Sequence, residues 1–343
     1  MAKSNIRLVD RFLSRPVESS FMRPETAGKA YDMLAGLSKA AYEMLKSNCE
    51  DIPVVICDNV SEYYHSSEKG EWGKEDFPNL KCPFSVMFIE WTVPRFMRIS
   101  GPAGNPTAKA SIVYDAREEA HHGDMLIEYD FHSSDDGRAT LEFMKQLHLR
   151  HPMSDSRVQE RIGETTHAIA HTLFMEKGGR VWCVGGSFNY IGPDNLLLFS
   201  TTMMPDTTLE VYKLAGNPEG FTEMFHVPNL ALAFMNTKGT EIVDAPANMA
   251  LTEREAKKMK IPSMIYKVLH VKAMGPAGRS KDARKEGEDH GDPKKRLHIV
   301  RGHFAKYTEE NPLFGKHVGT FWKASHTRGS ENRGEIFKDY ELI

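Results

Sequence analysis

The run Val86-Met87-Phe88-Ile89-Glu90-Trp91 constrains this chain more than any other stretch of it. Apolar, β-branched and aromatic residues follow one another without the alternation of a half-exposed strand, and Pro83 and Pro94 bound the run. Such a segment belongs in the centre of a sheet, with apolar material on both of its faces. Glu90 interrupts it, and an ionised carboxylate is expensive to bury unless it is paired. The expectation is that Glu90 sits at a strand end and reaches solvent, or an arginine such as Arg95 or Arg98.

The elements around this strand do not alternate regularly. Ile6, Leu8, Val9, Phe12 and Leu13 form a short amphipathic helix over 5–15, ended by Pro16. After Pro24, the positions Ala27, Ala30, Tyr31, Leu34, Leu37, Ala41, Met44 and Leu45 share one helical face. Strands are expected over 52–57, 110–114 and 125–131, with mixed helical spacing over 140–149 and an apolar segment over 166–174. Residues 180–185 and 196–201 read as a hairpin around Gly192-Pro193-Asp194-Asn195. Residues 221–235 form a helix that Pro228 kinks or restarts. Thr252-Glu-Arg-Glu255 has the spacing of a capping box at the start of a short helix to 260, and 263–272 alternates as a strand. Helices mixed with non-alternating strands argue for an α+β fold with mainly antiparallel strands, rather than a doubly wound sheet.

A chain of 343 residues is long enough for two domains. We expect an α+β N-terminal body over 1–263 and a small, basic, β-rich C-terminal module over 264–343. Within the module, 274–296 is Gly, Lys, Arg, Asp and Glu with almost nothing apolar, which reads as a flexible loop. From Ile265 onward there are 16 Lys and Arg against 11 Asp and Glu, although the whole chain carries a net charge of -3. A basic C-terminal part on an acidic body suggests that the C-terminal part meets an anion.

The module also concentrates polar chemistry: His298, His303, His317 and His326 lie among aromatic residues and Arg-Gly and Gly-His steps. A strand over 298–301 would pair naturally with the strand expected within 263–272. Its alternation places Arg301 and His303 on one face if extension continues. An Arg, His, Lys and aromatic surface of this kind suits RNA. Phosphates would meet Arg301, Lys306, Lys316 and Arg328, with His303 beside them, and bases would stack on Tyr307 or Trp322. Two of His298, His303 and His326 are also candidates for metal-independent cleavage of RNA, one imidazole taking the 2′-hydroxyl proton and another protonating the leaving oxygen.

Other chemistries find little support. No apolar run is long enough for a transmembrane helix and no signal peptide opens the chain, so a cytoplasmic protein without a membrane partner is expected. Cys49, Cys57, Cys82 and Cys183 are far apart and form no C-x-x-C pair, so they read as reduced, mostly buried thiols. His167 and His171 would share one face of a helix, but no third ligand is evident. The pairs His121/His122 and His148/His151 likewise lack a partner set, so no metal site is expected. With neither a P-loop nor a G-x-S-x-G elbow, no cofactor is indicated.

The motif Arg296-x-His298-Ile299-x-Arg301-Gly302-His303-aromatic, followed by Tyr307 and later Trp322, resembles the C-terminal motif of the type V-A anti-CRISPR family whose members lower production of the effector nuclease. Similar motifs occur in proteins of phages and conjugative elements. The strand ending in Glu90, and Leu230 to Asp244 read as a helix followed by a strand, are coarser echoes of that family. Phe304 stands where the anti-CRISPR protein has tryptophan. Leu313-Phe314-Gly315-Lys316 and His326-Thr327-Arg328-Gly329 are closer to the phage proteins. The resemblance implies a mobile-element protein in the bacterial cytoplasm, acting on a nascent peptide or its messenger RNA, and it carries over no catalytic residues. The expected partner is thus RNA or a ribonucleoprotein. A host protein or nascent peptide bound by the acidic body is the alternative.

Overall fold

The computed structural model describes residues 6–14, 29–66, 77–93, 108–115, 164, 166–177, 180–203, 218–247, 249, 251–271, 296–300, 303–323, 326–328 and 330–335. Its centre is a mixed eight-stranded sheet in the order β6-β5-β4-β3-β2-β1-β8-β7. The strands are β1 (Pro53–Ile56), β2 (Val86–Thr92), β3 (Ala108–Asp115), β4 (His167–Lys177), β5 (Arg180–Ile191), β6 (Leu197–Met203), β7 (Thr240–Asp244) and β8 (Ile265–Val271). Only β1 runs parallel to its neighbours, β2 and β8, and every other pairing in this sheet is antiparallel. The fold is α+β.

Helix α1 (Leu8–Ser14), the C-terminal half of α2 (Lys29–Ser47) and α5 (Glu253–Met259) pack on one face of this sheet. The other face carries α3 (Asp58–Ser66) and α4 (Pro218–Met235), which runs on through Pro228. Alternation along the strands feeds both layers. In β2, Val86 and Phe88 point to the α1 side, whereas Met87, Ile89 and Trp91 point to the α4 side, and all are buried. Helix α5 begins with the expected capping box: Thr252 Oγ1 accepts from the Glu255 amide, and the Glu255 carboxylate accepts from the Thr252 amide.

Strand β8 lies inside the main sheet, with β1 on one edge and β7 on the other. The sheet therefore crosses the division expected after residue 263. Because both edges of β8 are taken, the expected pairing of 298–301 with it does not form. Instead β9 (Arg296–Val300) pairs with β12 (His326–Arg328) and β13 (Ser330–Glu335). Strands β10 (His303–Tyr307) and β11 (Gly319–Lys323) make a separate antiparallel hairpin. The expected elements at 125–131 and 140–149, the His121/His122 and His148/His151 pairs, Arg301, and the 274–296 loop as far as residue 295 lie outside the described residues.

Glu90 is 1% exposed and does not reach solvent, and Arg95 and Arg98 lie outside the described residues. Its two carboxylate oxygens accept from the backbone N–H groups of Leu8 (2.9 Å) and Val9 (3.1 Å), which satisfies the first turn of α1. Beside it, Tyr266 donates to buried Asp10, and Asp10 accepts from the Arg7 amide. Arg7 in turn pairs with Asp58 at 3.2 Å and donates to the Met249 carbonyl. A central strand, the sheet's parallel partner and the N-terminal helix are thereby tied at one point.

Burial raises the Glu90 carboxyl to about 7, against the opposing charge of Arg7 and the two helix N–H groups. It raises Asp10 to about 6, against the Tyr266 hydroxyl and Arg7. In the unfolded chain both titrate near about 4. Each therefore contributes stability that is complete below that value and is lost as pH rises through the folded pKa. Burial lowers His171 to about 3 and His226 to about 4, and these contribute stability that grows as pH rises towards the ordinary histidine value, so the carboxyl shows as a difference between variant and parent. The thermal midpoint of Glu90→Gln relative to the parent should climb between about pH 5 and pH 7.5. A difference that stays flat or shrinks across the interval would show that the fold does not favour the protonated Glu90 carboxyl.

Candidate functional site

The hairpin β10–β11 carries most of the described residues that the sequence singles out. Its register pairs His303 with Lys323, Phe304 with Trp322, Ala305 with Phe321, Lys306 with Thr320 and Tyr307 with Gly319. Alternation therefore puts Phe304 and Trp322 on one face and His303, Tyr307, Phe321 and Lys323 on the other. The Trp322 face is the anchor. Its ring meets Phe304, Phe234 of α4 and Tyr63 of α3 edge-on, at centroid distances of 4.8, 4.9 and 5.0 Å. Trp322 is 7% exposed, so the expected role of stacking a base is replaced by one of fixing the hairpin to the body. Next to it, the Lys238 amide donates to the Thr320 carbonyl at 2.8 Å and continues the ladder into the turn after α4.

The loop looks outward, whereas the opposite face is covered at its centre, where Phe321 is 6% exposed and meets the Tyr307 ring at 5.9 Å. His303 and Lys316 are exposed, as is Lys306, which the register places on the Trp322 face, and Tyr307 is half-buried, with the Lys323 ammonium 5.2 Å from its ring centre. Lys238 is exposed and runs alongside Gly319. Lys306 has a partner, Asp194 at 3.4 Å, but both are well exposed and water screens the pair. Of the three histidines considered for cleavage, His298 and His326 belong to the β9–β12 ladder, where Arg328 pairs with His298 and His326 with Val300. His303 opens the other hairpin.

Between the two strands, Leu313 and His317 bond each other reciprocally and close a tight turn over Phe314, Gly315 and Lys316. Phe314 and Gly315 have φ of +54° and +70°, the signature of a type I′ turn, whose first central position favours Asn, Asp or Gly. A phenylalanine held there costs on the order of 1 kcal/mol or more.

A second polar centre was not anticipated. Beneath α4, Glu223 is 1% exposed, and its carboxylate takes the Lys109 ammonium in direct contact, the Trp91 indole N–H at 2.7 Å and His65 Nε2 at 3.2 Å. Burial alone would raise the Glu223 carboxyl. The adjacent Lys109 charge, with His65, more than offsets that and holds it well below the usual carboxylate range. Two residues along β3, Ser111 lies 3.1 Å from His171 Nδ1. His171 Nε2 meets Asn189, which donates to Asn229 of α4 at 2.5 Å.

His167 and His171 are on strand β4, not on a helix, so residues four apart are separated by roughly 13 Å and cannot share a metal. Burial lowers His171 to about 3 and keeps its imidazole neutral. Among the described residues, no cluster of three or more His, Cys, Asp or Glu is placed to hold a metal ion, and no helix is long and apolar enough to cross a membrane. The four cysteines form no disulfide and three are buried, with Cys183 raised by burial to about 12. Ser111 is fully buried and also bonds the Ile112 carbonyl, so it is not a nucleophile open to substrate. This polar band fixes α4 on the sheet. Its sequence signal was a lysine within the apolar run Ala108-Lys-Ala-Ser-Ile112 and a glutamate and an asparagine within an apolar helix.

Comparison of the chain with protein-family models, with characterised proteins and with solved structures finds no match in any of the three.

Glu223→Leu alone should destabilise the fold by roughly 3–5 kcal/mol, because it strands a buried ammonium, whereas pairing it with Lys109→Met should recover most of that loss. Urea midpoints of the two single variants and the double variant measure this, and additive losses would show that the pair is not coupled. Trp322→Ala should cost about 3–5 kcal/mol and speed hydrogen exchange over 303–323 ahead of the main sheet. Exchange rising equally in β2 and β3 would mean that the hairpin does not open by itself.

Proposed function

We propose that the β10–β11 hairpin is an RNA-contacting surface, through which the chain engages a messenger RNA or a ribonucleoprotein. The observation that carries this reading is the hairpin's division of labour. One face is taken up by the Trp322 anchor, while His303 and the loop residue Lys316 are exposed, with the exposed Lys238 of the turn after α4 alongside and half-buried Tyr307 and Lys323 flanking buried Phe321. Phosphate contact needs cations on a rigid support, and the aromatic anchor supplies the support. Glu309 and Glu310, exposed at the β10 end of the loop, keep phosphates away from that end and direct the backbone towards Lys316, Lys238 and Lys323. Arg301 and Arg328, which flank the hairpin in sequence, add cations to this part of the chain. The resemblance of the C-terminal motif to the type V-A anti-CRISPR family gives this contact its setting: a mobile-element protein that lowers production of a host defence protein.

Titration of the full chain with a single-stranded RNA at increasing salt tests the proposal. The logarithm of the affinity should fall linearly with the logarithm of salt. The triple variant Lys238→Ala, Lys316→Ala, Lys323→Ala should weaken binding and reduce the slope by about 0.7 for each phosphate that is no longer neutralised. Affinity indifferent to salt, or a triple variant that binds as the parent does, would remove phosphate recognition by this hairpin.

A further inference from the structure

Phe314 breaks two rules at once. It occupies a left-handed position that a phenylalanine adopts only under strain, and at 65% exposure it buries little in return. Neither feature helps the fold, since Asn or Gly would make the same turn at lower cost. Departures from local preference that the folded structure does not compensate point to contact with something else. The turn also stands clear of the body: a Cβ added at Gly315 would meet nothing within 4 Å.

Resting on the reading of this hairpin as an RNA surface, we infer that Phe314 is a stacking finger that takes an unpaired base, so that the ligand class is single-stranded rather than duplex RNA. The neighbouring side chains favour a nucleotide over a purely apolar pocket. Lys316 and His317, exposed within three residues of Phe314, offer a cation and a hydrogen-bonding ring for the phosphate and sugar of the stacked nucleotide. The reciprocal bonds of Leu313 with His317 hold the finger in place, which lowers the entropy lost on stacking. The faces of bases inside a duplex are already stacked on one another and closed to such a ring, whereas an unpaired strand offers them freely.

The experiment compares the full chain with Phe314→Asn and Phe314→Trp, on a ten-nucleotide single strand carrying 2-aminopurine and on a ten-base-pair RNA duplex. Phe314→Asn should raise the thermal midpoint by about 2 °C as the turn relaxes, and weaken single-strand binding roughly 10-fold or more. Phe314→Trp should retain binding and quench the 2-aminopurine. Duplex binding should be unmoved by either change. Full single-strand affinity in Phe314→Asn would overturn the stacking role and leave the basic hairpin as an RNA surface. Equal weakening on strand and duplex would assign the effect to loop shape and overturn it too. A parent chain that binds neither RNA would remove the reading on which the inference rests, and with it the inference. A protein partner retained after ribonuclease treatment but released by Phe314→Asn would replace the base by an apolar pocket on that partner.

Discussion

The carboxylate of Glu223 sets the geometry on one side of this protein. A helix packed on a sheet by apolar contacts alone can slide and rotate with little penalty, because dispersion and burial are not directional. Lys109 on β3 and Trp91 on β2 donate to this one carboxylate, His65 Nε2 on α3 lies 3.2 Å from it, and together the three elements remove that freedom. Asn229, two turns further along α4, is fixed to β5 through Asn189. Two polar anchors define the direction of a rod. Phe234, eleven residues beyond Glu223, then presents its ring to Tyr63, Phe304 and Trp322. The placement of the outer hairpin is thus inherited from a buried ion pair roughly 16 Å away along the helix.

The two faces of the sheet handle buried acid differently. Under α1, Glu90 and Asp10 are touched by amide and hydroxyl dipoles while the Arg7 guanidinium, bonded instead to Asp58 and the Met249 carbonyl, acts without direct contact, and burial wins, raising both. Under α4, Glu223 is met by a full positive charge in contact, and the charge wins, lowering it. A dipole offsets part of the desolvation of a carboxylate, whereas an adjacent ammonium offsets it in full. One sheet therefore carries a neutral-leaning acid on one side and a permanently ionised one on the other.

Much of this architecture could be read in the sequence, because it follows from local rules. The central position of β2 came from its unbroken apolar run, the β5–β6 hairpin from Gly192-Pro-Asp-Asn195, and the start of α5 from Thr252 and Glu255. What could not be read depends on partners distant in the chain. Glu90 was assigned to solvent or an arginine because nothing near it in sequence announces that the amides of Leu8 and Val9 will arrive above it. Trp322 was taken for an exposed platform because aromatic residues look alike whether they anchor or display, and only the register with Phe304 and the arrival of Phe234 decide between the two. His167 and His171 fit both a helix and a strand, since four is a repeat of either period to within a fraction of a turn. Phe314 had no signal at all, because a strained φ is a property of the closed turn and not of the residue.

The four-residue strand β1 has a consequence for how the chain reaches this state. Its two parallel neighbours are far from it in very different degrees: Val54 pairs with Phe88 on one side and with Tyr266 on the other. The first pairing closes a loop of some tens of residues, and the second closes one of roughly two hundred, with its larger entropy of closure. During synthesis the meander from β2 to β6 can assemble as soon as it emerges. The edge of β1 facing β8 stays open until residue 271 has been made. Until then the sheet has a short, fully apolar edge in its middle, and the time for which that edge is exposed is set by the ribosome rather than by the fold.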